Sequence, residues 1–375
     1  MKTLIALLLF TLSLAAQQRR VMVGGPDADE AKDWPKPEIR TGLTQPQMMS
    51  NITSYAQKLS DANHFSGVVL IAKDGEPVLS RAWGLADVAS KTPNTIDTKF
   101  NIGSINKFFT KTAIAQLAES GKLSPDDTIR KHLPDYPSPV ADKITIQQLI
   151  DHRSGLGDIF GERYEAAPPS KLRELSDFLA LFADRPLEFE PGTSQRYSNA
   201  GYIVLGLIIE KLSGEKFRDY VQHHIFDPAG MKNSGFFAVD ETVANRATGY
   251  TMRDGAERHP NTRTLPGRPS SAGGAFATAS DLLRFMKALE GKKLASAKWT
   301  GWVFTSKLDE PLGRPALGIG GGAPGLNAAV EMGGDGWIAI AMSNYDPPSA
   351  MVVASGAMDI IHADRAPREN GPQRH

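Results

Sequence analysis

The sequence predicts an α+β fold in which one antiparallel sheet takes strands from both chain ends and is flanked by helices, with a mostly helical second lobe. Two strand-like runs, residues 65–72 and 77–84, lie near the N-terminus, and the Asp74-Gly75 pair between them is a strong hairpin signal. Strand signals return after residue 299, whereas the intervening section shows helical periodicity and proline-rich loops. The two lobes should enclose a cleft.

The remaining elements follow from the same two periodicities. Apolar spacing predicts helices at residues 45–63, from Ser104 to about Gly121, from about Ala200, at 280–290 and at 349–363. Further strands are predicted at residues 299–305, 326–332 and 336–344, with a turn at residues 333–336. The chain shows no repeat or low-complexity linker, so residues 44–364 are interpreted as one domain.

The chain ends predict export. Residues 1–16 combine a charge at Lys2, a short apolar run and small residues at its end, which is the layout of a cleaved signal peptide. A retained N-terminal anchor is the alternative, although the run is shorter than the roughly 20 residues of a spanning helix. Residues 17–43 are predicted to be an extended lead-in, and residues 365–375 a disordered tail. We therefore expect a periplasmic or secreted protein without a stable membrane anchor after cleavage.

Composition excludes several classes of partner. Lys plus Arg number 42 in the 375 residues, and so do Asp plus Glu. The chain therefore lacks the excess of basic residues that is typical of nucleic-acid-binding proteins. The chain has no cysteine, which excludes disulfides and thiolate metal sites. His223 and His224 are adjacent and would lie on different faces of a helix, so no metal site is predicted. The glycine run at residues 320–322 lacks the Gly-Lys-Ser/Thr of a phosphate loop, and no cofactor is expected.

Two stretches share the spacing Ser-x-x-Lys, and their positions distinguish them. Ser104 stands at a predicted helix start, where the helix dipole disfavours the ammonium of Lys107. Ser213 stands at a predicted helix end before Gly214, where Lys216 complements the dipole. Ser104 could be a simple N-cap, but it could also be a nucleophile with Lys107 as its base. That role needs the lysine pKa to fall from about 10.4 by roughly three units.

The stretch Tyr197-Ser198-Asn199 is the only Tyr-x-Asn in the chain and precedes a predicted helix. A phenol at Tyr197 could relay a proton, and the Asn199 amide could contact Lys107 or a substrate. Alternatively the stretch is a turn with Asn199 as helix N-cap. His152 is interpreted as a loop-stabilising residue rather than a catalytic base.

Five segments together resemble the serine β-lactamase and penicillin-binding-protein superfamily, on the side of class C β-lactamases and related esterases. They are F-S-G-V-V-L-I-A-K-D-G-E, S-I-N-K, L-I-D-H-R-S-G-L, P-G-T-S-Q-R-Y-S-N-A-G-Y and S-A-G-G-A-F-A-T-A-S-D-L-L-R-F, and the match covers about residues 45–362. The resemblance implies a β-lactamase/transpeptidase-like fold, with helices on both faces of a sheet of five or more strands. It also implies Ser104 as acylated nucleophile, Lys107 as base, Tyr197 as proton-transfer partner and Asn199 as substrate-binding residue.

The third motif of that superfamily departs from its pattern here. Residues 318–325, G-I-G-G-G-A-P-G, match the edge-strand motif with Ile319 where relatives carry a lysine, histidine or tryptophan. The resemblance places Ile319, Gly321 and Gly322 at the substrate, with the Gly322 and Ser104 N–H groups as oxyanion hole. Loss of a charge-assisted bond to a substrate carboxylate would weaken binding by about ten- to a hundredfold. Another cation such as Arg314 could substitute.

Three functions remain open from the sequence. The first is an exported serine hydrolase acting through an acyl-enzyme on esters or small amides, which Ile319 favours. The second is a D,D-peptidase or β-lactamase with the same chemistry, acting on cell-wall peptides or β-lactams. The third is a catalytically weak cell-wall-binding relative.

Overall fold

A computed structural model describes residues 31–253, 255, 257–308 and 316–365. The predicted signal peptide, residues 17–30 of the predicted lead-in, Arg314 and residues 366–375 lie outside these ranges.

The described chain contains the following helices and strands. The α-helices are α1 (Gln45–Asp61), α2 (Lys107–Glu119), α3 (Ile129–His132), α4 (Ile146–Ile150), α5 (Glu162–Ala166), α6 (Leu179–Phe182), α7 (Asn199–Ser213), α8 (Phe217–Val221), α9 (Asp227–Ala229), α10 (Ala279–Glu290), α11 (Ala297–Thr305) and α12 (Ser349–Ile361). The strands are β1 (Gly67–Lys73), β2 (Glu76–Trp83), β3 (Leu85–Asp87), β4 (Thr92–Pro93), β5 (Phe100–Asn101), β6 (Tyr250–Thr251), β7 (His259–Pro260), β8 (Phe276–Ala277), β9 (Ala316–Ala323), β10 (Leu326–Gly333) and β11 (Trp337–Ser343).

The main sheet has five strands in the order β2-β1-β11-β10-β9, and every neighbouring pair is antiparallel. The N-terminal hairpin β1–β2 thus pairs with strands from the C-terminal part of the chain, and Leu70 lies opposite Ile340. Asp74 and Gly75 adopt positive φ angles of 52° and 81°, as the predicted tight hairpin turn requires. The predicted antiparallel sheet from both chain ends is confirmed.

Both faces of the central strands are buried, which explains their apolar runs. Val69 and Ile71 pack in a cluster with side chains of α1 and α12. Val68 and Leu70 point to the other face and join the larger core of the helical lobe. The alternation of side chains along β1 therefore holds the two helical layers to one sheet.

The prediction of a strand at residues 299–305 is wrong, because α11 occupies that segment. Aromatic and β-branched side chains favour strands by propensity. However, Trp299, Trp302 and Val303 are buried and follow the i, i+3, i+4 spacing of a helix face. Burial of that face in the helical lobe outweighs the local preference.

The edge strand β9 lies against a 3₁₀ turn, Gly103–Asn106, that leads into α2. Their backbones approach so closely that a Cβ on Gly321 would lie 2.1 Å from the carbonyl O of Ile102. Gly103 has φ of +52°, and its own Cβ would lie 2.9 Å from the N of Gly322. Glycine at residues 103 and 321 thus permits the contact between the helix start and the sheet edge.

Asn327 on β10 ties this edge to α12. Its side-chain Nδ2 donates to the Gly321 carbonyl at 2.9 Å, and its Oδ1 accepts from the N–H groups of Ala350 and Met351 at 2.7 and 3.1 Å. The residue is fully buried. One side chain therefore satisfies two backbone donors at a helix N-terminus and holds the edge strand.

We expect Asn327→Ala to lower the free energy of unfolding by about 1 to 3 kcal/mol, because it leaves buried backbone groups without partners. Urea denaturation followed by circular dichroism measures this loss. Asn51→Ala is the control, since the Asn51 side chain makes a solvent-exposed hydrogen bond to the Glu38 carbonyl, and its loss should cost under about 0.5 kcal/mol. Equal stability of the two variants would contradict the proposed tie.

Candidate active site

The structure brings Ser104, Lys107 and Tyr197 together, as the sequence predicted. Ser104 lies in the 3₁₀ turn before α2, and Lys107 begins that helix. The Ser104 Oγ lies 3.1 Å from the Lys107 Nζ and 2.7 Å from the Tyr197 hydroxyl. The hydroxyl is therefore bonded to both an amine and a phenol.

Three oxygens surround the Lys107 amine. Besides the Ser104 Oγ, the Nζ contacts the Asn199 Oδ1 at 2.7 Å and the Ala272 carbonyl O. A neutral amine has two N–H donors and one lone pair. If Asn199 and Ala272 accept the two donors, the lone pair faces Ser104, which is the arrangement that a general base needs.

Burial supports the neutral form of Lys107. The residue is 5% exposed, and desolvation lowers its pKa from 10.5 to about 7, against an opposing effect from the Asp158 carboxylate. Removal from water disfavours the ammonium more than the neutral amine. The shift is close to the three units that the sequence analysis required.

Tyr197 is a protonated phenol held in place by an imidazole. Burial raises the Tyr197 pKa above its ordinary value of 10.0. The ring of His152 lies 4.4 Å from the Tyr197 ring, and its Nδ1 accepts the Ser198 N–H at 3.2 Å. Burial, with the charges of Lys107 and Lys111, lowers the His152 pKa to about 3. His152 is thus a neutral support for the Tyr-Ser-Asn segment, in agreement with the sequence interpretation.

Helix α7 begins at Asn199, but Asn199 is not its cap. The Ser198 Oγ accepts the Gly201 N–H at 3.1 Å and donates to the Gly157 carbonyl at 2.7 Å. With Ser198 as N-cap, the Asn199 side chain is free to reach Lys107. The capping alternative for Asn199 is therefore wrong.

Sequence reasoning assigned no role to Ala272, whose carbonyl contacts the Lys107 amine. It lies in S-A-G-G-A-F, one of the segments that carried the resemblance. The side chains of Asn106 and Thr110 donate hydrogen bonds to the backbone carbonyls of Ser270 and Ser271. These bonds hold the loop against α2, so a backbone group becomes part of the site. The segment itself could be recognised from its sequence, but the role of a backbone carbonyl does not depend on a particular side chain and so could not be read from the residue type.

The pairing register directs the Gly322 N–H toward Ser104. Pro324-Gly325 forms the two-residue loop between β9 and β10, with Gly325 at φ of +73°. In such a hairpin the closing pair exchanges hydrogen bonds, whereas the next pair, Gly322 and Asn327, does not. The Gly322 N–H therefore points away from β10, to the side where Gly103 and Ser104 lie. Both N–H groups could receive an oxyanion.

A cavity of about 910 Å³ opens above these groups. Ser104, Tyr197, Asn199 and Gly322 line it, together with Asp158. Aromatic and aliphatic side chains form much of the remaining wall, among them Phe160, Tyr164, Phe178, Phe237 and Leu265. The site therefore offers a reactive hydroxyl beside a largely apolar volume.

Two residues predicted to bind substrate do not line this cavity. Ile319 is 6% exposed and belongs to the hydrophobic core, opposite Val330 on β10. Gly321 instead packs against the turn before Ser104. The edge strand runs from the core to the site, and its cavity-lining part is Gly322 and Ala323. The prediction that Ile319 and Gly321 contact the substrate directly is therefore wrong, because neither residue lines the cavity.

The second Ser-x-x-Lys sequence is structural, as predicted. Ser213 ends α7, and Gly214 adopts the left-handed conformation at φ of +77°. Lys216 lies 3.2 Å from the Glu174 carboxylate. His223 and His224 both bond the carboxylate of Glu215.

Comparison with known proteins identifies the family. The family model described as Beta-lactamase matches residues 52–366. Two relatives from Bacillus subtilis (strain 168), named as penicillin-binding proteins, are 31% and 30% identical over 254 and 250 residues, covering 68% and 62% of this chain. The chain spans 61% and 54% of the length of those relatives. Esterase EstB of Burkholderia gladioli is 30% identical over 267 residues, which cover 63% of this chain and 68% of EstB.

Solved structures give the same result. A penicillin-binding protein from Bacillus halodurans superposes with a TM-score of 0.73 at 32% identity, covering 82% of this chain and 98% of that one. A class C β-lactamase shares the fold at a TM-score of 0.68 and 20% identity, covering 86% and 98% of the two chains. The resemblance inferred from the motifs is confirmed: this chain belongs to the beta-lactamase family of serine hydrolases.

Proposed function

We propose that this protein is an exported serine hydrolase that acts on esters or small amides through an acyl-enzyme on Ser104. One observation carries the proposal: the Ser104 hydroxyl bonds both a buried amine and a buried phenol at the wall of a largely apolar cavity. The amine is the base and the phenol is the acid of an acyl transfer.

In the acylation step, the Ser104 Oγ attacks the substrate carbonyl and its proton passes to the Lys107 Nζ. The developing oxyanion lies between the N–H groups of Ser104 and Gly322. The bond to the leaving oxygen or nitrogen then breaks, and Tyr197 donates its proton to that atom. The proton held by Lys107 restores the phenol, so the enzyme is left as a neutral acyl-serine ester.

Water completes the cycle by the reverse path. A water molecule takes the place of the leaving group beside Tyr197 and loses its proton to the Tyr197–Lys107 pair as it attacks the acyl carbonyl. The bond from the carbonyl to the Ser104 Oγ breaks, and a proton returns to the serine. Acid and free enzyme are the products.

The apolar wall supports an ester or small-amide substrate. Phe160, Tyr164, Phe237 and Leu265 line the cavity, and burying an apolar acyl group against such side chains is favourable. Ile319, at the position where the sequence resemblance implies a carboxylate-binding residue, is buried in the core and offers no cation to the cavity. A substrate without a carboxylate needs no such cation.

A D,D-peptidase or β-lactamase is the second candidate, and one observation favours it. Arg253 and Arg263 line the same cavity and could bind a substrate carboxylate in place of the missing third-motif cation. Relatives of this chain are also named as penicillin-binding proteins. The two candidates share every catalytic step and differ in the substrate.

Export rests on the sequence of residues 1–16. None of the helices in the described ranges has the length and apolarity to cross a membrane.

We expect Ser104→Ala to abolish hydrolysis of a p-nitrophenyl ester and covalent labelling by a fluorophosphonate, because it removes the nucleophile. Steady-state kinetics and intact-mass spectrometry measure the two effects. Ser213→Ala is the matched control, since it has the same Ser-x-x-Lys spacing but should retain activity and one label per chain. An unlabelled wild-type protein would instead support a binding relative without turnover.

Activity should depend on pH through Lys107. The base is the neutral amine, and its pKa is about 7, so kcat/KM should fall about tenfold per pH unit as the pH drops below about 7. Lys107→Arg keeps a charge that cannot be lost and should reduce kcat/KM by at least about a hundredfold.

Lys216→Arg is the control for that substitution, because Lys216 pairs with Glu174 outside the site. Rate measurements from pH 5 to 9 on the wild type and both variants test the assignment. A flat profile between pH 5 and 8 would contradict it.

The acyl group should be recognised by the apolar wall. We expect kcat/KM to rise from p-nitrophenyl acetate to propionate to butyrate by up to about fourfold per methylene, because each buried CH₂ contributes about 0.8 kcal/mol. A chromogenic cephalosporin should react more slowly than the butyrate ester. Faster turnover of the cephalosporin would favour the second candidate.

A further inference from the structure

Asp158 lies in the loop after α4, at the junction of the base and the cavity, and the motifs assign it no role. Its carboxylate accepts from the Asn199 Nδ2 at 3.0 Å with both oxygens. One oxygen also accepts the N–H of Phe160 at 3.2 Å. The residue lines the cavity and is half-buried.

We propose that Asp158 is a positioning residue for the reaction: it fixes the Asn199 amide and places a negative charge beside the Lys107 base. This inference rests on the proposed acyl-enzyme function. Asp158 acts through Asn199 and Lys107.

The orientation of the Asn199 amide follows from its two partners. The Lys107 amine donates a hydrogen bond to the Asn199 Oδ1 at 2.7 Å. The Asp158 carboxylate can only accept hydrogen bonds and therefore faces the Asn199 Nδ2. Asp158 thus holds the Nδ2 away from Lys107. Without it the amide could turn, and the oxygen that orients the Lys107 N–H groups would be lost.

The carboxylate also opposes the effect of burial on Lys107. Burial lowers the Lys107 pKa, and Asp158 raises it. Removal of the Asp158 charge therefore lowers the pKa further, so that more of the lysine is neutral at a given acidic pH. The base of a D158N variant should remain active at lower pH than that of the wild type.

Other titratable groups lie near Lys107, on every element packed against it. The rings of Tyr197 and Tyr202 lie 4.7 and 5.3 Å from the Nζ, and burial raises the pKa of both phenols. His152, with a pKa lowered to about 3, stays neutral. Lys111, one turn along α2, donates to the Ser306 Oγ, and burial lowers its pKa to about 8, against the opposing charge of Asp151.

The test compares Asp158→Asn, which removes the charge and keeps an acceptor, with Asp158→Ala, which removes both. For the wild type, a Lys107 pKa of about 7 predicts a kcat/KM at pH 6 of about a tenth of that at pH 8. Both variants should raise this ratio toward one. Asp158→Ala should in addition lower kcat at pH 8 by about tenfold or more, because the amide is no longer held.

Glu162→Gln is the control for charge, since Glu162 is an exposed carboxylate on α5 that does not line the cavity. Its pH 6 to pH 8 ratio should stay at about a tenth. A purely structural Asp158 would lower the rate at all pH values by the same factor, and that result would overturn the inference.

A second measurement does not need turnover. In protein labelled with ¹³C at the lysine ε-carbons, the Lys107 resonance is assigned by its loss in Lys107→Arg, and its titration is followed in the wild type and in Asp158→Asn. A lower midpoint in the variant supports the inference even if no ester is hydrolysed, which would count against the proposed function alone. Equal midpoints would overturn the inference even in an active enzyme.

Discussion

The site depends on the burial of one amine. Lys107 begins α2, where the helix dipole already disfavours an ammonium. Its Nζ is enclosed by the Ser104 Oγ, three residues earlier, and by oxygens from two distant segments. Desolvation lowers its pKa to about 7, which makes it a base at neutral pH. This property belongs to no single segment, because it requires Ser104, Asn199 and Ala272 to converge on the same nitrogen.

That convergence requires the helix start to lie against the edge of the sheet. Glycine at residues 103 and 321 allows the backbones of the helix start and of β9 to touch, since a Cβ at either position would overlap the backbone of the other segment. The same contact brings the N–H of Gly322 near that of Ser104. Asn327 then fastens the edge strand to α12. The five-stranded sheet is therefore the support on which the Ser104 hydroxyl and the N–H groups of Ser104 and Gly322 are aligned.

The substrate-facing part of the site has a different origin. The groups that contact the Ser104 Oγ come from α2 and from the residue pair before α7, whereas the cavity wall comes largely from loops of the helical lobe, with residues such as Phe160, Phe237 and Leu265. Loops can change without displacing the core elements. The wall can therefore vary while the groups around the Ser104 Oγ keep their positions, which is compatible with a family whose members are named as an esterase and as penicillin-binding proteins.

The sequence by itself predicted the antiparallel sheet from both chain ends and singled out Ser104 and Lys107 as candidate nucleophile and base. Alternation and turn signals are local, and Ser104 and Lys107 lie within one helical turn. Ser213 and Lys216 have the same spacing, so the position at a helix start and the dipole argument separated the two pairs. Tertiary packing decided the rest. It made residues 299–305 a helix, because burial outweighed strand propensity. It directed the side chain of Ile319 into the hydrophobic core. It also placed Asp158 and the Ala272 carbonyl beside the base, which no local pattern encodes, because their contacts join segments far apart in the chain.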